Sequence, residues 1–238
     1  MGWSRPKDVP YPSVWHRFQA KDVDSDAMVT YVVQDLPEER FEDAINHMIG
    51  IFIHDEPMCR AKKLAEQQPS VEEIRDVWRE LVKQRMALVC FREGADDIVG
   101  MNVTYVSCVD DAKDYKSKGD RWQDVVDAVL YITEQSKVFE RFDVTEYLTA
   151  MGLSVSPRYR GRGIATEILR ARVPLAQAVG VKLTSTVFTA IGSQIPAAKV
   201  GFVETFVMDY DKLAELDPRF TFPGIQSKSC KSMSLRIE

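Results

Sequence analysis

The residues Leu153-Ser-Val-Ser-Pro-Arg-Tyr-Arg-Gly-Arg-Gly-Ile-Ala165 decide the fold of this chain. The segment before Pro157, from Tyr147 to Val155, is rich in residues that favour strands. Pro157 ends that strand, because proline has no N–H to give to a sheet ladder. A helical pattern begins at Ile164, with apolar residues three and four positions apart. The sequence therefore predicts a strand, a glycine-rich turn and a helix in immediate succession.

The turn carries three arginines, Arg158, Arg160 and Arg162, around Gly161 and Gly163. The first N–H groups of a helix have no partner within the helix, and the helix dipole adds positive charge there. Glycine lets a ligand approach the backbone closely, because it has no Cβ. The forked donors of arginine suit phosphate oxygens. The turn is therefore predicted to bind a polyphosphate group.

Two common nucleotide-binding motifs fit this turn poorly. A Walker loop ends in Gly-Lys-Ser/Thr, whereas Gly163 is followed by Ile164. A Rossmann fingerprint needs a third small residue, where Thr166 stands, and an acidic residue about 20 positions further on. That region has Val181-Lys182-Leu183 instead.

The segment Arg158-x-x-Gly161-x-Gly163 resembles the acetyl-CoA signature of the GCN5-related N-acetyltransferases, Arg/Gln-x-x-Gly-x-Gly/Ala. The resemblance implies acetyl-CoA as the cofactor, with its pyrophosphate on the turn. It also implies that the pantetheine arm pairs with free backbone groups of the preceding strand, as an added strand would. The implied cofactor-binding residues are Leu153, Ser154, Val155, Arg158, Arg160, Gly161, Arg162, Gly163, Ile164, Ala165 and Ser193.

Periodicity along the chain predicts a mixed α/β protein, with the element order β, α, α, β, β, an inserted helix, β, α, β, α, β, β over residues 28–237. The resemblance adds the acetyltransferase fold, a mixed, mostly antiparallel sheet that is splayed between two central strands and flanked by helices. We expect one N-acetyltransferase domain over residues 1–238. It would have an irregular N-terminal arm at 1–26, with at most a short strand, and a helical insertion at 110–140. Residues 211–224 are predicted to be a loop.

Two further segments carry candidate catalytic groups. Asp55-Glu56-Pro57-Met58 resembles the Asp-Glu-Pro-Leu motif of insect arylalkylamine N-acetyltransferases, in which the glutamate is a general base acting through water. Thr189-Ala-Ile-Gly-Ser193 resembles the Ser-x-x-x-Ser motif of that family, whose hydroxyls join the proton relay. The resemblance thus implies Glu56, Thr189 and Ser193 as catalytic residues. From local sequence alone, Asp-Glu-Pro also ends helices, and a serine near a helix start also caps it.

The composition indicates which cellular compartment and which classes of partner are expected. A net charge of −5 argues against a nucleic-acid partner, and no apolar run approaches the roughly 20 residues of a membrane span. The N-terminus has no apolar segment of a signal peptide. The four cysteines are scattered and form no metal-spaced set with the three histidines, so we expect reduced thiols, no metal and a cytoplasmic location.

These observations predict an enzyme that transfers acetyl from acetyl-CoA to the primary amine of a small arylalkylamine. The transfer would be a direct attack within a ternary complex, in a monomer or weak dimer. Two alternatives remain open. One is an acyltransferase for a non-aromatic amine, such as a polyamine or agmatine, or for a longer acyl-CoA; the other is a non-catalytic acyl-CoA-binding module. The position of Glu56 relative to the thioester end of the cofactor site discriminates between catalysis and binding alone.

Overall fold

In the computed structural model, which describes residues 2–111 and 115–238, one eight-stranded sheet organises the described chain. The strands are β1 (Val14–Lys21), β2 (Met28–Asp35), β3 (Leu88–Arg92), β4 (Ile98–Cys108), β5 (Glu146–Val155), β6 (Leu183–Phe188), β7 (Val203–Asp209) and β8 (Ser229–Arg236). Their order in the sheet is β1-β2-β3-β4-β5-β6-β8-β7, and only β5 and β6 run parallel. The predicted mixed, mostly antiparallel sheet is confirmed.

Helices cover both faces of this sheet. They are α1 (Phe41–His47), α2 (Ile53–Asp55), α3 (Pro57–Ala61), α4 (Gln68–Val82), α5 (Asp120–Ser136), α6 (Val138–Phe142), α7 (Ile164–Val179), α8 (Ile191–Val200) and α9 (Tyr210–Leu216). A π-helical turn, Met48–Phe52, joins α1 to α2. Such turns often occur next to functional sites, and this one leads directly to the segment that contains Glu56.

The two faces of the sheet carry separate apolar cores, because successive side chains of a strand point to opposite faces. Leu88 of β3 packs with Ile168 of α7 on one face. Its neighbour Val89 lies on the opposite face, in a core that includes Trp78 of α4 and Trp122 of α5. Each core thus packs helices against one face of the central strands.

Strands β5 and β6 diverge soon after they meet. The two strands pair in parallel at one position, where Leu148 lies opposite Thr184. On its other edge, β5 pairs with β4 along its length, but the register shifts between Asn102 and Thr104. Gly152 lies beside this irregularity with φ +107°, and a Cβ added there would come within 2.5 Å of the Met48 side chain. The bulge and the divergence leave residues of β5 facing an opening in the sheet.

The structure differs from the sequence prediction in two peripheral segments. The predicted loop at 211–224 is wrong, since α9 and a 3-10 turn, Pro218–Phe220, occupy it. Leu213 and Phe220 are buried in the core, which explains why the segment is ordered. In the N-terminal arm, β1 is an eight-residue strand. Most of its side chains are half-buried or exposed, so the sequence carries no clear alternation there.

Helix α5 occupies the predicted insertion at 110–140, between β4 and β5. Residues 112–114 of that insertion, and residue 1 of the arm, lie outside the described residues.

Within the described part, none of the helices combines the length and apolar character needed to cross a bilayer. The same residues contain no group of three or more His, Cys, Asp and Glu side chains placed to hold a metal ion.

Candidate active site

A cavity of about 740 Å³ occupies the opening between β5 and β6. The glycine-rich turn and the start of α7 form one end of it, and α5 with the strands β4 and β5 forms the other. The segment around Glu56 and the start of α8 also line it. The cavity therefore joins the predicted cofactor turn to the predicted catalytic groups.

The turn has the conformation that its glycines make possible. Gly161 and Gly163 have φ +77° and +79°, in the left-handed region that other residues adopt at a cost. A Cβ built on either would meet no heavy atom within 4 Å, so the space in front of the backbone is open. Both glycines, with Ile164 and Ala165 in the first turn of α7, line the cavity. The free N–H groups of that first turn are available to an anionic ligand.

The three arginines of the turn have different positions. Arg160 lines the cavity, where its Nε donates to the Val155 carbonyl at 3.0 Å and its guanidinium pairs with the Asp55 carboxylate. Arg158 is outside the cavity lining, and its exposed side chain pairs with Asp24 at 3.0 Å.

Arg162 also lies outside the cavity lining and instead braces the turn. Its guanidinium donates to the carbonyl oxygens of Arg158 and Arg160, at 2.9 and 3.0 Å. Its Nε donates to the Lys21 carbonyl at 3.1 Å, which ties the turn to the end of β1. Of the three predicted cofactor-binding arginines, the structure therefore brings Arg160 into the cavity and leaves the side chains of Arg158 and Arg162 outside it.

The last residues of β5 line the same cavity. Leu153, Ser154 and Val155 lie beyond the single pair that joins β5 to β6. The Ser154 hydroxyl is buried and has no hydrogen-bond partner in the described part of the chain. A buried polar group without a partner is costly, so this hydroxyl is suited to a polar ligand group that enters the opening.

Glu56 combines a structural contact with an active-site contact. It stands between α2 and α3 with extended backbone angles, and its Oε2 accepts the N–H of Cys59 at 2.7 Å, as an N-cap of α3. Its Oε1 accepts the hydroxyl of Thr189 at 2.7 Å. Both residues line the cavity. The helix-cap interpretation of Asp-Glu-Pro and the catalytic one therefore apply to different oxygens of one carboxylate.

The second predicted hydroxyl, that of Ser193, also lines the cavity, and its Oγ donates to the Ala190 carbonyl at 2.9 Å.

Sequence reasoning missed Tyr210, whose hydroxyl donates to the Thr189 carbonyl at 2.8 Å. Burial and then the nearby Cys230 and Glu56 raise the pKa of Tyr210. The phenol is therefore a neutral hydrogen-bond donor at physiological pH, and it fixes the segment that carries Thr189.

The end of the cavity beside α5, called the acceptor end below, is apolar with scattered hydroxyls. Helix α5 contributes Val129, Leu130 and Thr133, while Tyr105 and Tyr147 come from β4 and β5. The carboxylates among the described lining residues are those of Asp55 and Glu56, and Asp55 is paired with Arg160. The sequence predicted α5 as an insertion, but no motif in it indicated a wall of the site.

Neither profiles of protein families nor curated proteins match the sequence. Among solved structures, it is similar to a protein of the yellow fever mosquito Aedes aegypti provisionally assigned as arylalkylamine N-acetyltransferase 7. The two are 51% identical, with a TM-score of 0.97, over 99% of this chain and 100% of the mosquito one.

More distant structures share the fold. Arylalkylamine N-acetyltransferase 2 of Aedes aegypti is 19% identical with a TM-score of 0.77, over 87% of this chain and 99% of the other. The polyamine N-acetyltransferase of Drosophila melanogaster, which catalyses the formation of N-acetylagmatine, is 18% identical with a TM-score of 0.72, over 87% of this chain and all of the other.

The splayed sheet and the glycine-rich turn before α7 define an acetyltransferase fold. The chain belongs to the GCN5-related N-acetyltransferase superfamily, and within it to the insect arylalkylamine N-acetyltransferase family. It is an amine N-acetyltransferase, and the cofactor that its glycine-rich motif implies is acetyl-CoA. The residues present fit that cofactor, because the open space at Gly161 and Gly163 and the unpartnered Ser154 hydroxyl lie along one cavity.

Proposed function

We propose that this enzyme acetylates the primary amine of a small arylalkylamine by direct attack within a ternary complex. Acetyl-CoA supplies the acetyl group as an activated thioester. The observation that carries the catalytic assignment is the 2.7 Å contact between Glu56 and Thr189 in the wall of the cavity. This contact joins the Asp-Glu-Pro segment to the Thr-x-x-x-Ser segment beside the opening between β5 and β6.

In this proposal, the turn residues Gly161, Gly163, Ile164 and Ala165 bind the pyrophosphate through their backbone N–H groups. Arg160 adds a hydrogen-bond donor from within the cavity, since its Nε donates to Val155 and one terminal nitrogen pairs with Asp55, which leaves the other terminal nitrogen for a phosphate oxygen. Leu153, Ser154 and Val155 offer β5 to the pantetheine arm. Arg158 and Arg162 contribute through the shape of the turn, since their side chains are engaged elsewhere.

Glu56 takes the proton that the ammonium group of the substrate must lose before its nitrogen can attack. Thr189 donates to the same carboxylate and so orients it. A carboxylate is a weak base toward an ammonium ion. A bridging water can carry the proton from the ammonium group to Glu56 when the two groups are not in direct contact. Ser193 lies at the start of α8, beside the cavity, where its hydroxyl can join that relay or contact the cofactor.

The charge of the cavity favours a monoamine over a polyamine. A polyamine or agmatine brings a second cation, which needs its own anionic partner when it is removed from water. The lining carboxylates of the described residues are Glu56, assigned to the reacting amine, and Asp55, already paired with Arg160. Aromatic and aliphatic side chains form the rest of the acceptor end, which suits an apolar body such as an aryl group.

We also propose that residues 1–238 act as one N-acetyltransferase domain, as a monomer or weak dimer in the cytoplasm, with no nucleic-acid or membrane partner. The net charge of −5 supports the absence of a nucleic-acid partner. All four cysteines are free thiols, as is usual in a reducing compartment.

Steady-state assays with a panel of amines test this function. Acetyl-CoA is supplied with arylalkylamines, with alkyl monoamines and with di- and polyamines, and the release of free CoA thiol is followed. The proposal predicts the largest kcat/KM for an arylalkylamine. A larger kcat/KM for agmatine or a polyamine would overturn the substrate class, and absence of turnover with every amine would favour a binding module.

A further inference from the structure

Arg172 of α7 is one of the largest fully buried side chains of the described chain, with 1% of its surface exposed. Its Nε donates to the Asn102 amide oxygen at 2.8 Å. One terminal nitrogen donates to the hydroxyls of Thr184 and Thr186, at 3.2 and 2.8 Å. These partners are all uncharged. A buried charge is normally paired, because its removal from water is costly.

Arg172 lies at the point where β5 and β6 begin to diverge. Thr184 is the residue through which β6 pairs with β5, and its hydroxyl also donates to the Leu148 carbonyl at 2.9 Å. Asn102 lies on β4 and donates to the Gly152 carbonyl at 2.7 Å. The guanidinium therefore spans from β4 to β6 beneath β5, and it lines the same cavity as the cofactor turn.

The distance along β6 places this cation near the reacting groups. Thr186, which bonds Arg172, precedes Thr189 by three residues, or about 10 Å at the usual rise of a strand. Arg172, Thr186, Thr189 and Glu56 all line the cavity, so a thioester bound there can direct its sulfur toward Arg172 and its carbonyl carbon toward Glu56. Burial lowers the pKa of Arg172 to about 9, so the guanidinium still carries its charge at neutral pH.

We propose that Arg172 stabilises the negative charge that forms on the CoA sulfur during acetyl transfer. The amine nitrogen forms a bond to the carbonyl carbon, the C–S bond breaks, and its electron pair goes to the sulfur. The amine loses two protons in forming the amide: one before attack, which leaves through Glu56, and one afterwards, which balances the thiolate as thiol. Arg172 keeps its own protons and acts through its charge, in a water-poor site where such charge is effective.

This inference rests on acetyl-CoA as the cofactor, and it can be tested without turnover. The pKa of the CoA thiol is measured in the complex from the ultraviolet absorbance of the thiolate. The complex with desulfo-CoA, which has no thiol, serves as the reference for the protein's own cysteines and tyrosines. An opposite charge within about 4–6 Å lowers the pKa of an acid by about 1–3 pH units.

For the wild-type complex we therefore expect a CoA thiol pKa at least about 1 pH unit below that of free CoA. Arg172→Gln keeps hydrogen-bonding capacity but removes the charge, so its complex should return the thiol pKa to the free value or above. Arg172→Lys keeps the charge and should retain a lowered thiol pKa. The control is Lys199→Met, which removes an exposed cation of α8 that also lines the cavity and should leave the thiol pKa as in wild type.

Several results would overturn the proposal. A wild-type complex whose thiol titrates at or above the value of free CoA would do so whatever the variants show. A folded Arg172→Gln complex with the wild-type thiol pKa would assign Arg172 to bracing the sheet alone. If Arg172→Gln does not fold, the wild-type and Arg172→Lys titrations decide, and a free-CoA value in either contradicts the role. Failure of wild type to bind CoA at all would overturn the cofactor assignment and this inference with it.

Discussion

The carboxylate of Glu56 accepts a hydrogen bond from the hydroxyl of Thr189 at 2.7 Å, although 133 residues separate them in the chain. Glu56 directly follows α2, which the π-helical turn joins to α1, and Thr189 directly follows β6. The contact forms because both segments end at the opening between β5 and β6. It is the geometric basis of the proposed reaction, and the turn at the other end of the same cavity supplies the cofactor site.

Gly163→Leu should abolish acetyl-CoA binding in a folded protein. The side chain would occupy the open space in front of the turn, where the pyrophosphate is proposed to lie. The left-handed backbone at φ +79° also makes any side chain there costly, by about 1–2 kcal/mol. Calorimetry measures the affinity, and circular dichroism checks the fold.

A matched control separates strain from blocking. Gly180 ends α7 with φ +80° and also has open space around its Cα, but it lies outside the cavity lining. Gly180→Leu should lose a similar amount of stability and keep its affinity for acetyl-CoA. Equal loss of affinity in both variants would mean that backbone strain alone, and no pyrophosphate site, explains the effect.

Arg160→Ala and Arg158→Ala should differ in affinity for CoA. Arg160 lines the cavity, whereas Arg158 pairs with Asp24 outside it. Loss of one hydrogen bond to a charged group costs about 1.5–3 kcal/mol, so Arg160→Ala should weaken binding by roughly 10-fold or more. Arg158→Ala should remain close to wild type. The reverse order of affinities would show that the turn rearranges when the cofactor binds.

Thr189→Val should lower kcat without a comparable loss of CoA affinity. Valine keeps the branched shape but removes the hydroxyl that donates to Glu56. Thr189→Ser keeps the hydroxyl and restores the residue of the family motif, so it should retain most of the wild-type kcat. Stopped-flow or steady-state rates on one amine compare the three proteins. A Thr189→Val enzyme as fast as Thr189→Ser would remove the hydroxyl from the mechanism.

Much of this site was predictable because its features are local. The strand that ends at Pro157 and the helix that begins at Ile164 follow from neighbouring residues, and the glycines of the turn fix its conformation. The different directions of Arg158, Arg160 and Arg162 were beyond prediction, because their partners come from β1, the β1–β2 turn and the end of α2.

The acceptor end was harder to predict for the same reason. Tyr210 contacts Thr189 because it begins the short helix α9. The sequence predicts a loop from residue 211 onward, so it gives no indication of this contact. Helix α5 has an ordinary amphipathic pattern, and nothing in it distinguishes a core-facing residue from one that lines a cavity. Arg172 is one charged residue in an apolar helix face, and its hydrogen bonds come from two distant strands, β4 and β6.

The role of Glu56 is the central claim, and Glu56→Gln tests it most directly. Glutamine keeps the size of the side chain and a carbonyl oxygen that can accept from Cys59 and Thr189, but it is no longer a base. General base catalysis contributes about 10²–10⁴-fold, so kcat should fall within that range while acetyl-CoA affinity stays nearly constant.

The measurement is kcat for the best amine, over a range of pH, with chemistry shown to be rate-limiting. The deficit of Glu56→Gln should shrink at high pH, since more of the amine is already deprotonated and needs no base. A helix cap alone would predict a small loss of stability and little change in kcat. A folded Glu56→Gln enzyme that turns over within roughly threefold of wild type at neutral pH, far less than the loss expected of a general base, would contradict the account.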